Sequence, residues 1–309
     1  MIIRRLLELF FLLGASLIVL SACNRSSPVV STTTAAATFT ETATISPKPT
    51  ETSIPPSETP VPLAAIVNGE TITLDEFQME LARFQESQTI TGTNLASDPD
   101  TTVLTELIDQ TLLAQAAAQN GFIVDDTMLQ SRIDILETQL GSAQALEDWK
   151  TAHGYTDYDF QQALRRAVGA AWMRDQIIAA VPETADQVHV IQILLPTAAE
   201  ADEVYAELQS GADFKELANT YNPATGGELG WFPREYLGEP AIDEAVFALQ
   251  PGQYSQVIKS EIGFHIFYLV ERDTKHPLLP DARTTSQANA IRDWLSERRD
   301  QSEIQILLP

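Results

Sequence analysis

The chain of 309 residues holds a single cysteine, Cys23, so no internal disulfide can staple it. Histidine is nearly as scarce: the four at positions 153, 189, 265 and 276 are scattered, without the spacing of metal ligands, and no metal site is expected. Basic residues are few as well, 19 Lys and Arg against 43 Asp and Glu, for a net charge of −24. Such a surface repels phosphate backbones, which sets nucleic acid aside as a partner. G-x-S-x-G, Walker and dinucleotide-binding patterns are missing, so no small-molecule cofactor is expected. Repeated βα units are missing too, which argues against a two-lobed solute-binding protein. No apolar run reaches the roughly 20 residues of a spanning helix. The longest, Leu6–Leu20, is interrupted by Glu8.

That run does have an informative setting. A short basic start, MIIRR, precedes it, and LSAC follows at Leu20–Cys23. LSAC resembles the lipobox of bacterial lipoproteins. The resemblance implies that residues 1–22 are a lipoprotein signal peptide, that cleavage precedes Cys23, and that Cys23 is the lipidation site. An uncleaved anchor with an incidental cysteine is the other reading. Both place the remainder outside the cytoplasmic membrane. Residues 23–62 are rich in Ser, Thr, Pro and Ala without apolar periodicity, and read as a disordered tether.

A change of grammar follows at residue 63. Asn68-Gly69 between two β-like runs predicts a two-residue hairpin. Thr73 with Glu76 three residues on predicts a helix start with a capping box. Apolar stripes at helical spacing run through Val103–Leu113, Leu129–Leu140 and Phe160–Trp172, stopped by Gly121, Gly141 and Pro182. Residues 63–183 therefore read as an all-α domain with a small β element in front.

From about residue 184 to 274 the predicted order is β, α, α, β, α, β, β, an α+β unit with a mainly antiparallel four-stranded sheet. Residues 275–309 add a helix, roughly Thr285–Arg299, and a terminal strand expected to return beside the 64–73 hairpin.

The α+β unit resembles the parvulin family of peptidyl-prolyl cis/trans isomerases. The residues that carry the likeness are VHVIQILL, GADFKELA, GGELGWF, FALQPGQYS and GFHI, in family order and spacing over about 90 residues. The helical domain, opening with VNGETIT, is similar to the N-terminal chaperone module of SurA- and PrsA-type foldases. Together with the LSAC motif, nearly the whole mature chain resembles an extracytoplasmic foldase lipoprotein.

The resemblance implies a site. A proline ring would be gripped by a slot of Leu229, Leu237 and Ile242, with Phe247 and Trp231 behind. Gly226 and Gly227 would let the loop approach the substrate backbone closely. Of two family histidines on adjacent central strands, His265 fills one place, and Gln192 stands at the other. Glutamine hydrogen-bonds but does not titrate. The loop TYNPATGG is shorter than the family loop and lacks its Cys or Asp, leaving Asn222 as the nearest polar substitute. Glu228 stands where Asp is usual, and Ile262 where a small polar residue is common. His189 and His153 read as surface or packing residues.

The implied function is prolyl cis/trans isomerisation for unfolded or partly folded exported polypeptides, from a lipid anchor at Cys23. The alternative is a holdase chaperone in which the parvulin unit serves for binding alone.

Overall fold

The computed structural model describes residues 61–91 and 98–308. Cys23, the expected signal peptide and nearly all of the expected tether lie outside the described residues. β1 (Leu63–Val67) and β2 (Glu70–Thr73) form the hairpin. Its turn residues, Asn68 and Gly69, have φ of 51° and 86°. Both central positions are left-handed, the geometry that matches strand twist and that Asn-Gly tolerates. The last strand, β7 (Ile304–Ile306), pairs antiparallel with β1, giving a sheet of order β2-β1-β7. Asn68 closes that join from both atoms: its N–H donates to Glu303 O at 2.8 Å, and its Oδ1 accepts from Glu303 N at 2.9 Å.

α1 (Leu74–Thr91) starts on Thr73, whose Oγ1 accepts from Glu76 N–H at 3.1 Å. The Glu76 carboxylate pairs with Arg166. α2 (Pro99–Gln119) starts on the Asp98 cap with Pro99 in its first turn. α3 (Asp126–Leu140), α4 (Ala143–Ala152) and α5 (Asp157–Ala180) complete the domain, and Gly141 caps α3 in the left-handed region at φ 100°. α4 adds a helix to the three stripes expected. Two cores result. Val67, Ile72, Leu104, Leu107 and Leu112 join the small sheet to α1 and α2, while Leu129, Leu146, Trp149, Phe160 and Leu164 join α3, α4 and α5. α9 (Pro280–Asp300) begins earlier than expected because Pro280, with its preset φ, serves in the first helical turn. Its Ile291, Trp294 and Leu295 pack on Leu113, Ala170 and Ile177 of the helical domain.

The second unit runs β3 (Thr184–Leu195), α6 (Ala198–Gln209), α7 (Phe214–Tyr221), β4 (Glu228–Pro233), α8 (Pro240–Ala248), β5 (Ile258–Ser260) and β6 (Gly263–Pro277), the expected element order. Its antiparallel sheet has the order β4-β3-β6-β5. β3 and β6 run on together to Thr184 opposite Pro277, past the apolar segments that marked them in the sequence. One face of this sheet places Ile191, Ile193, Leu195 and Ile266 against Val204, Leu208, Phe214 and Ala218 of α6 and α7. The other face places Val188, Val190, Phe267 and Leu269 against Phe232 and the α8 residues Ile242, Val246 and Phe247. Burying each such side chain contributes about 1.5–3 kcal/mol. The register sets Gln192 opposite Phe267 and Leu194 opposite His265, so Gln192 and His265 belong to this second face.

Candidate functional site

His265 lies near the start of β6, with only 3% of its surface exposed. Its Nδ1 is 3.1 Å from Gln192 Oε1 and its Nε2 is 2.7 Å from Ser260 Oγ. An amide oxygen can only accept, so with the amide placed this way Nδ1 carries the proton. Nε2 then accepts from the Ser260 hydroxyl, and Ser260 Oγ in turn accepts from Ile262 N–H at 3.2 Å. The ring lies parallel to Phe267, centroids 5.4 Å apart. Burial pushes the imidazole below its usual 6.5, and the Glu239 carboxylate acts in the opposite direction. The result is a neutral imidazole locked in one tautomer.

Ser260 was not among the expected site residues. Ile262, at the place where a small polar residue is common, is 73% exposed. The β5–β6 hairpin pairs Ser260 with Gly263 across the turn Glu261-Ile262, and that pairing brings the hydroxyl back to His265. The sequence signal is a serine immediately before a two-residue turn that leads into Gly-Phe-His.

The double glycine has a structural reason of its own. Gly227 has φ of 75°, its carbonyl accepts from Gln192 N–H at 2.8 Å, and a Cβ there would stand 1.9 Å from Gln192 O. At Gly226, φ 61°, a Cβ would meet Asn219 Oδ1 at 2.7 Å. The close approach made by these glycines is thus to their own domain, pressing the loop on the strand that presents Gln192. Asn222 belongs to the same fastening. Its Oδ1 accepts from Leu194 N–H at 3.3 Å and its carbonyl accepts from Gly226 N–H at 2.8 Å.

Leu229, Leu237, Ile242 and Phe247 come together in one apolar cluster with Phe232. Leu229 reaches that face through a bulge: Gly230, φ 74°, sits where the β3–β4 register shifts between Val190 and Ile191. Trp231 stands apart from the cluster. Between Gly230 and Phe232 the strand is regular and successive side chains alternate, so Phe232, 1% exposed, takes the inner face and Trp231 the outer one. There the indole stacks on His276 at 4.0 Å and lies 5.5 Å from the His189 ring, whose Nε2 is 2.5 Å from Glu228 Oε1. His153 packs on Trp149 at 4.3 Å.

The site therefore has an apolar wall beside a hydrogen-bonded chain, Ser260–His265–Gln192, whose central imidazole is buried. Phe247 is held from behind, with the Arg234 guanidinium 4.2 Å from its ring centroid and Arg272 donating to its carbonyl at 3.1 Å. Among the described residues no group of three or more His, Cys, Asp or Glu side chains is placed to hold a metal, and no helix is long and apolar enough to cross a membrane.

Comparison with known proteins decides the family of each part. Residues 195–271 match the PPIC-type PPIase domain and residues 38–173 match the SurA-like N-terminal domain. The chain joins a SurA-like N-terminal domain to a PPIC-type parvulin domain. The SurA-like match begins inside the segment expected as tether. The Chaperone SurA of Methylobacillus flagellatus is 30% identical over 205 residues, 55% of this chain and 47% of that protein. The Foldase protein PrsA of Caldanaerobacter subterraneus is 26% identical over 226 residues, 66% of this chain and 72% of its own length. A solved peptidylprolyl isomerase, PrsA from Bacillus cereus, is 19% identical with a TM-score of 0.42, covering 76% of this chain and 84% of that one. This chain spans about half the length of the SurA relative or less. Over these two regions it is similar to proteins named as foldases and chaperones.

Proposed function

We propose that the protein is a foldase that accelerates cis/trans isomerisation of X-Pro bonds in exported polypeptides, working from a lipid anchor at Cys23. The observation that carries this reading is the buried neutral His265, fixed between Gln192 and Ser260 beside the Leu229–Leu237–Ile242 wall. An X-Pro bond rotates over a barrier of about 18–20 kcal/mol because twisting the amide breaks its resonance. No proton or covalent bond needs to be exchanged. A site accelerates the rotation by holding the proline ring in apolar surroundings and presenting polar groups that suit the twisted amide better than the planar one. The wall supplies the first requirement. The hydrogen-bonded chain supplies the second, with the Gln192 side-chain amide at one end of it.

The unfolded or partly folded polypeptides themselves are held by the SurA-like domain. Nucleic acid is no partner, on charge grounds. Prolyl isomerisation of a short X-Pro peptide by residues 61–309 tests the reading, with His265→Ala and Leu229→Ala expected to abolish the acceleration. Cys23→Ala is expected to move the full chain from the membrane to the soluble fraction. A second reading, a holdase without turnover, is favoured by Gln192 at the position of the usual histidine and by the shortened loop. Unchanged suppression of client aggregation in a chain without isomerase activity would select it.

A further inference from the structure

A cleft adjoins the apolar cluster. It has a volume of about 610 Å³ and lies between the 234–239 loop with α8 on one side and Arg292 of α9 on the other, and Phe247 lies on its floor. Leu237 and Ile242 of the apolar cluster flank Glu239 in the chain, and Phe247 belongs to both the cluster and the cleft.

The charges around the cleft are unequally committed. The Arg234 guanidinium is stacked on Phe247 at 4.2 Å, and Arg292 is held by Glu235 at 2.8 Å and Asp293 at 2.9 Å. Glu239 and Glu244 have no ion pair or hydrogen-bonded side chain among the described residues. Glu239 stands at the N-cap of α8 yet makes no capping bond with its side chain. Its carboxylate lies near enough to the slot to act on the His265 imidazole. Asp243, only 7% exposed, accepts from Glu235 N–H through Oδ2, which fixes the left-handed Glu235 (φ 62°). Its Oδ1 has no hydrogen-bond partner. With the Phe247 ring already covered by Arg234, what the cleft offers is the unpaired negative charge of Glu239 and Glu244 and the unpartnered Asp243 Oδ1, which suits an extended side chain ending in a cation.

We propose that this cleft is a subsite for a lysine or arginine next to the client's proline, with Glu239 as the residue that sets the preference. The proposal rests on the prolyl-isomerase reading of the slot. An exposed carboxylate acting on a mobile cation changes selectivity modestly, by about 2- to 5-fold, and salt weakens the effect.

The test uses the full chain in detergent and tetrapeptides with Lys, Ala or Glu on either side of proline. Exchange NMR reads turnover, and peptide titration reads binding. Lys peptides should exceed Ala peptides, and Ala peptides Glu peptides. The order should flatten in Glu239→Gln and at high salt, and invert in Glu239→Lys, while Glu244→Gln should leave it intact. Ala peptides turned over with no preference for Lys would overturn the subsite alone. A preference that survives both Glu239→Gln and Glu239→Lys would do the same. Ala peptides neither bound nor turned over would overturn the slot reading and this one with it.

Discussion

The imidazole of His265 and the side-chain amide of Gln192 meet across the two central strands, Nδ1 to Oε1 at 3.1 Å. This contact and the Ser260 hydroxyl at 2.7 Å together select the Nδ1–H tautomer. Ser260→Ala removes the donor to Nε2 and leaves that nitrogen buried without a partner, at a cost of about 1–3 kcal/mol. The expected outcome is a mixed or inverted tautomer in long-range ¹⁵N spectra of His265, together with a several-fold loss of isomerase activity. A serine that merely filled space would leave the tautomer unchanged.

The pH dependence follows from the same burial. His265 binds its proton more weakly in the folded chain than its usual 6.5, so on acidification the unfolded chain takes up a proton first. Stability is therefore lost as pH falls from above 6.5 toward the folded value, and the loss stops below that value. Gln192 does not titrate. Activity should thus stay flat from pH 8 through 6.5, and the acid-side loss of stability between pH 7 and 6 should shrink in His265→Gln. Denaturant midpoints at several pH values measure it.

Two glycines with positive φ separate crowding from backbone strain. At Gly227 a Cβ would collide with Gln192 O, whereas at Gly252, φ 90°, nothing lies within 4 Å. Gly252→Ala should cost about 1–2 kcal/mol, the left-handed penalty alone. Gly227→Ala should exceed about 4 kcal/mol or displace the loop from β3. Chemical unfolding of the two variants side by side decides between crowding and strain.

The C-terminal strand closes the first sheet. Removing the residues after Ser302 strips β1 of its β7 partner and leaves both Asn68–Glu303 bonds unmade. Backbone amides of β1 should then exchange with deuterium much faster, while those of β3 and β6 stay protected. Equal acceleration in both sheets would mean that the two units share one folding transition.

Apart from α4, element order was legible in the sequence because strong signals punctuate it: Asn68-Gly69, the stops at Gly121 and Gly141, and the switch to compact apolar strands after residue 187. The candidate wall was legible where apolar residues have one reading, as at Ile242 and Phe247. ELGWF has two. Which of Trp231 and Phe232 points inward depends on the bulge at Gly230, and no alternation of residue types reveals a bulge. Ser260 was hidden for a different reason: its nearness to His265 is created by the β5–β6 turn. The ends of β3 and β6 were hidden by polar residues, Thr184 and Asp186 on one strand and Asp273 and Lys275 on the other, whose pairing comes from register rather than burial.

The decisive measurement is prolyl isomerisation by residues 61–309, on an X-Pro peptide and on a protein whose refolding waits for a proline. His265→Ala, Leu229→Ala and Trp231→Ala are compared with the parent. Acceleration that disappears in the first two and persists in Trp231→Ala is the expected result, since Trp231 lies on the far face of β4. No acceleration by the parent chain, or equal loss in all three variants, would contradict a slot built on His265 and Leu229.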